Sequence, residues 1–422
     1  MSNLHRQARF PTSPASERGA AALIVVVLLY AAMALIAVFT NRSLIFEQRT
    51  SANQYRSTMA MESAEAGLEW ATAMLNRKGR ISPSCETVTP GTDNFKDRYL
   101  TVGATTGALT ARAGTIHAAC VTNQTGSGWI CSCPTAGTAP APVVPATASG
   151  FNPSFAVVLQ TSPTTGTVRV SSYGCTSLIT NTTCTGDAAA AVQVTLGQLS
   201  GLSTPPAAPL TARGSVSVGN AALGVTNGTP STNGITINAG LGIDATNLRI
   251  STVPGTPPTA TLVGNDSSLA STTEDQMFQS FFNMPKAQYK SLADKVIPGP
   301  ANGGAITTAY AAPDEARRMW IEGDLSITSN TTIGSLTDPV VLVVNGNVNF
   351  SGTIRIFGVI YSTGMTWDNT GGGGALIQGA VISEGNYTGN GTPDYFYDPR
   401  VLEKLQFELT SFVRVPGSWR DF

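Results

Sequence analysis

The sequence predicts an α+β protein in which a long N-terminal helix precedes a β-rich remainder. Three observations carry that prediction. Twenty consecutive residues, Ala20 to Phe39, contain no charge, proline or glycine. Proline stays absent from Ala20 as far as Arg80. Beyond that point, short β-branched runs alternate with Gly, Asn and Pro turns almost to the C-terminus.

The apolar run comes first. At about 1.5 Å per residue it spans roughly 30 Å, the thickness of a bilayer's hydrocarbon core. Lipid offers no partners for backbone polar groups, so such a segment is a helix there. Residues 1–19 are polar, with Arg6, Arg9, Arg18, Pro11 and Pro14, and are expected to be an unstructured cytoplasmic leader. A secretory signal would place a small-residue cleavage site after its apolar run. AVFTNRSLIFEQ offers none, so the run is expected to be retained. Positive-inside counting is indecisive, because Arg42, Arg49 and Arg56 follow the run as three arginines precede it.

The helix is expected to continue to about residue 78, with Gly79 and Pro83 ending it. Ile45, Ala52, Tyr55, Met59, Ala66, Trp70 and Ala73 recur at helical spacing and are read as the stripe that packs on a head domain.

Composition narrows the remainder. Only 12% of the 422 residues are charged, about half the usual share, and there are 43 Gly and 25 Pro. A net charge of -1 advertises no basic face for nucleic acid. Cys85, Cys120, Cys131, Cys133, Cys175 and Cys184 all follow the apolar run. An even count in an exported region reads as up to three disulfides, with free or partly paired thiols as the alternative.

Arg18-Gly19 before an unbroken apolar helix, followed by AMESAEAGLEWA at 60–71, resembles the precursors of type IV pilins. It is most similar to the PilX-type minor pilins, over about residues 16–75. The resemblance implies cleavage by a prepilin peptidase between Gly19 and Ala20, with N-methylation of the new terminus. It implies an inner-membrane subunit with a periplasmic, pilin-like antiparallel β head that is later drawn into a pilus at the cell surface. Ala20, Leu23, Ile24, Val27 and Leu28 would then pack against other pilins and minor pilins, with twitching motility and adhesion as downstream roles. Major pilins carry Glu at the fifth mature position, where this chain has Ile24. A subunit lacking that carboxylate cannot offer the buried pairing to a neighbour's amino terminus, which suits a tip or priming position, or contact with a PilY-type tip adhesin. The bland reading is that PilX-type proteins often lack the Glu without any tip placement.

The head is expected over 83–200, after a helix at 20–82. FAVVLQ, TVRVSSYG and AAAAVQVTLGQL (155–199) read as its clearest strands. Cys175 and Cys184 bracket a short insert and are the expected pair, a bond from either to the 85–133 region being the alternative. Cys131 and Cys133, one residue apart, point to different partners. PTAGTAPAPVVPATASG (134–150) reads as an extended loop. Residues 201–320 read as a linker with short strands and a helical segment at 273–296, single or split at Pro285. Residues 321–422 form Gly-closed hydrophobic rungs, suggesting a β-helix or a curled sheet, with VLEKLQFEL as a terminal cap. Residues 320–410 resemble the C-terminal region of long PilX-type proteins.

No catalytic set stands out, and no enzyme activity or cofactor is expected. His117 is the only histidine beyond the leader. Asp394 and Asp398, with Asp324 and Asp338 elsewhere, are read as turn caps, Ca²⁺ ligation being the weaker alternative. A membrane-anchored surface adhesin and a type II secretion pseudopilin are the competing functions.

Overall fold

The computed structural model describes residues 18–422 apart from 89–90, 92, 113–117, 124–127, 136–151, 181, 185–187, 221, 245, 312–314 and 369–372, and the side chains of 18–20 and 180. Leader residues 1–17, His117 and most of the Pro/Ala-rich loop therefore lie outside the described residues. The chain divides into two compact units, residues 1–59 and 60–422.

The first unit is helical in its described part. Helix α1 runs Arg18–Asn76, and every described residue from 21 to 55 is exposed.

In the second unit, the last turns of α1 pack on a seven-stranded antiparallel sheet. Its order is Thr410–Arg414, Ala189–Ser200, Thr167–Cys175, Ser154–Thr161, Ala118–Thr122 and Trp129–Ser132, with Arg420–Asp421 also on Ala189–Ser200. Alternation puts Val168, Val170, Val192, Val194 and Leu196 into the core beneath the helix. The covered face of α1 differs from the stripe read in the sequence. Tyr55 and Ile45 are exposed, and Trp70 sits at the rim against Phe95 and Phe155. The buried column is Ala60, Ala64, Leu68, Ala71 and Leu75, with Gly67 among them. The reason is close approach. A Cβ on Gly67 would collide with Ser172 and the Phe155 ring, and one on Gly174 would collide with the α1 backbone at Ala60 and Ala64. Small residues let the helix axis settle on the sheet, so large apolar side chains are pushed to its margins.

Apart from two antiparallel pairs, Leu100–Val102 with Leu109–Ala111 and Ile179–Thr180 with Thr183–Cys184, the remaining described strands form one sixteen-stranded sheet, parallel throughout, wound as a three-faced solenoid. The first face stacks Lys295–Pro298, Arg318–Glu322, 340–344, 358–362 and 379–383. The second stacks Ala301–Asn302, Leu325–Ile327, 347–350, 364–367 and Tyr387–Gly389. The third stacks Thr331–Ile333, 354–356, 376–378 and Asp394–Phe396. First-face strands within the stack are buried on both sides and read as near-continuous apolar runs such as VVLVV, whereas the edge strand Lys295–Pro298 is mostly exposed. Second-face strands alternate, as in Leu325-Ser326-Ile327, whose hydroxyl alone is exposed. At the corner into the first face, Gly358 and Gly379 have φ of 149° and 142°, and a Cβ on either would strike the backbone of the coil before it.

The stack does not end where the chain does. Leu210–Ala212 pairs in parallel with 381–383, Val216–Val218 with Tyr387–Gly389, and Leu223–Asn227 with Asp394–Phe396. Ile237–Ala239, Leu248–Thr252 and Leu262–Val263 extend it further. Strands that the sequence assigns to a linker region thus add coils beyond the C-terminal ones. The chain returns to the opposite end through the helices Glu274–Phe282 and Lys286–Ser291, split at Pro285. Met277, Phe278, Phe282 and Tyr289 cover the outer side of the first face against Trp320, Val343, Val359 and Tyr361. The helix Pro399–Glu403 and the turn Lys404–Glu408 join that layer through Val401, Leu402 and Leu405. The expected terminal cap is therefore a side layer, from which the chain passes to the head sheet.

Candidate functional site: the N-terminal helix and the disulfide-bonded head

The helix residues singled out in the sequence are presented outward. Leu23, Ile24, Val27 and Leu28 expose 67%, 58%, 56% and 63% of their surface, values that only an unpartnered helix shows. Gly19 and Ala20 are within α1 by backbone, but their side chains lie outside the described residues. By length and composition α1 is able to cross a membrane. Its one hydroxyl near the end of the apolar run, Thr40 Oγ1, donates to the carbonyl of Ile36 at 2.8 Å, so it brings no unsatisfied donor into an apolar surrounding. By its length and apolar surface the segment can bury itself in lipid or against other apolar helices.

The head is stitched where its secondary structure is thinnest. Cys120 and Cys131 are partners across adjacent strands and form one disulfide. Cys85 bonds to Cys133, closing the segment after α1 onto the end of the last of those strands. Cys175 bonds to Cys184 around the insert. Arg98, buried on the short helix α2 (Phe95–Tyr99), ties the same corner together. Its guanidinium donates to the carbonyls of Ile81 (2.6 Å), Ser82 (2.9 Å) and Cys133 (2.7 Å), and it pairs with Asp93 at 2.7 Å. Nothing in the sequence singled out Arg98, since a lone arginine has no signature until its acceptors are known.

The four aspartates are dispersed. Asp394 pairs with Arg249 at 3.0 Å and Asp338 with Arg317. Asp324 Oδ1 accepts from the Asn347 amide at 2.7 Å. Asp398 caps the helix Pro399–Glu403 and accepts from Gln378 and Arg400. Burial opposes its ionisation, yet the hydrogen bonds from Arg400 and Gln378 prevail and hold its carboxyl below the usual range. Among the described residues no three His, Cys, Asp or Glu side chains come together as a metal site.

No curated protein matches the chain. The solved structure of the competence-associated pilin ComZ from Thermus thermophilus aligns over 87% of this chain and 97% of its own, at 11% identity. Its TM-score of 0.23 is too low to carry an argument. Residues 18–69 match the family model for the PilX N-terminal segment. That match covers the exposed apolar run and the start of the buried Ala column, so the N-terminal segment of this chain is similar to that of PilX-type pilins.

Proposed function

We propose that the chain is a minor subunit of a type IV pilus, acting at a tip or priming position. Its helix would sit in the bacterial inner membrane, with the disulfide-bonded head and solenoid in the periplasm. A prepilin peptidase would cut between Gly19 and Ala20, the new terminus would be methylated, and the helix would exchange lipid for the apolar interior of a filament. The solenoid would then be the part displayed for protein interaction or adhesion, for example to a PilY-type tip protein.

The observation that carries this reading is a helix exposed from residue 21 to 55, apolar as far as Phe39, within a PilX-type segment. A helix with no cover of its own requires either lipid or other subunits. The tip position rests on Ile24. A mid-membrane carboxylate is costly unless a partner is supplied, and this chain offers none to the next subunit.

Mass spectrometry of the membrane-extracted protein tests the first part. A mature N-terminus at Ala20 is expected, and a retained Met1 or a cut elsewhere overturns the pilin assignment in favour of a permanently anchored adhesin. For the second part, Ile24→Glu is expected to raise the subunit's abundance in sheared filaments. An unchanged abundance removes the support for the tip position. Deletion scored for twitching and for secretion separates a pilus from a type II secretion pseudopilus.

A further inference from the structure

Three cationic side chains from three elements converge on one short stretch of backbone, residues 408–411. Lys96 Nζ of α2 donates to the Glu408 carbonyl at 2.7 Å, and Lys78 Nζ, just past the end of α1, donates to that of Thr410 at 2.9 Å. Arg318 Nη2, on the first face of the solenoid, donates to Ser411 Oγ. Lys96 and Arg318 are buried. The carboxylates that oppose them are few: Asp294, 3.4 Å from Arg318, and the half-exposed Asp97, 3.6 Å from Lys96. Arg318 Nε and Nη1 are buried with no hydrogen-bond partner. Neutral carbonyls satisfy N–H groups but do not balance charge, and unbalanced buried charge is costly.

Lys78 and Lys96 open onto a cleft of about 540 Å³ between head and solenoid. Most other charges lining it are matched: Arg80 with Glu315, Arg317 with Asp338, and Lys404 with Glu408. Asp93 is taken by Arg98. Arg112 adds a further cation at the rim.

We propose that this cleft is an anion-binding site, in which the Lys78 and Lys96 ammonium groups receive a carboxylate or phosphate. The state of Lys78 agrees. Burial lowers its pKa to about 8, against the pull of Asp294 and with Lys96 and Arg318 adding to the fall. A site short of negative charge is the one that gains most from an anion. The cleft exceeds a bare ion in volume, so the group is either a free small anion or an acidic group carried on a peptide. The proposal is independent of the pilin reading.

The test uses the full chain in detergent with its lysines ¹³C-dimethylated, following Lys78 by NMR at constant ionic strength. Inorganic phosphate and a tetraglutamate peptide are titrated separately. Either anion is expected to raise the Lys78 pKa from about 8 by about one pH unit or more, the effect of an opposite charge within hydrogen-bonding distance. Phosphate alone acting identifies a free anion, and the peptide acting at lower concentration identifies a peptide-borne group. Lys96→Met should weaken either response. A Lys78 pKa that neither anion moves in the unmutated protein overturns the proposal, and that measurement stands even where the variant fails to fold.

Discussion

Gly174 lies against the α1 backbone at Ala60 and Ala64, and Gly67 of α1 lies against Ser172 and the Phe155 ring. Gly67→Val is expected to cost about 1–3 kcal/mol, the usual penalty of overpacking a filled core, read as a lower urea midpoint. Arg98→Met removes the donor for three carbonyls and breaks the ion pair with Asp93. It should cost about 3–5 kcal/mol, as breaking buried ion pairs does, and heat denaturation will show it. Lys78 gives a pH signature. Its pKa is about 8 when folded and about 10.4 when unfolded. Between those values the unfolded chain binds more protons, so stability rises with pH from about 8 upward. Above about pH 10 the buried tyrosines, Tyr99 among them, reverse the trend because burial raises their pKa values. Comparing denaturation at pH 8 and 9.5 should show the rise in the native protein and a smaller one in Lys78→Met. The stripe read from the sequence was anchored on Ile45, Tyr55, Met59 and Trp70, and that choice of face leaves out the Ala60–Ala64–Leu68–Ala71 column. Small residues signal contact only once the opposing surface is known.

Single elements were read with uneven success, for reasons of range. The apolar run of α1 is legible because its chemistry is uniform and local. The break at Pro285 is a local matter too, proline excluding itself from a helix interior. The rungs at 340–383 announce themselves through β-branched runs closed by Gly. The Cys175–Cys184 loop, nine residues in separation, has its own consequence. Replacing both cysteines by Ser should cost about 2–3 kcal/mol in the chain-entropy model, seen as an earlier melt that reductant does not advance further at that site. Arg98 and Lys96 went unread because each acts on carbonyls tens or hundreds of residues away, as Lys96 does at Glu408.

Across the whole molecule, the order of coils in space departs from their order in the chain. Strand Leu210–Ala212 is interior, flanked by 381–383 and Ile237–Ala239, while Lys295–Pro298 and Leu248–Thr252 are edges. Amide exchange should follow space rather than sequence, with 210–212 protected like 379–383, and 295–298 and 248–252 exchanging first. Equal exchange at 210–212 and 248–252 would contradict that stacking. Periodicity in the sequence reveals that coils exist but is silent on which coil neighbours which. The parallel pairing of Thr211 with Ile382 leaves no local mark.

The strands Thr410–Arg414 and Arg420–Asp421 lie on Ala189–Ser200 and complete the head sheet. The head is therefore unfinished until residues 410–421 have arrived. A ribosome or translocon releases the edge of Ala189–Ser200 more than 200 residues before its cover, and the whole solenoid must be threaded in between. Such long-range closure is slow, and meanwhile the bare edge is a template for wrong partners. Any premature stop before Thr410 leaves that edge open for good. A copy without residues 410–421 therefore lacks the strands that close its own head sheet.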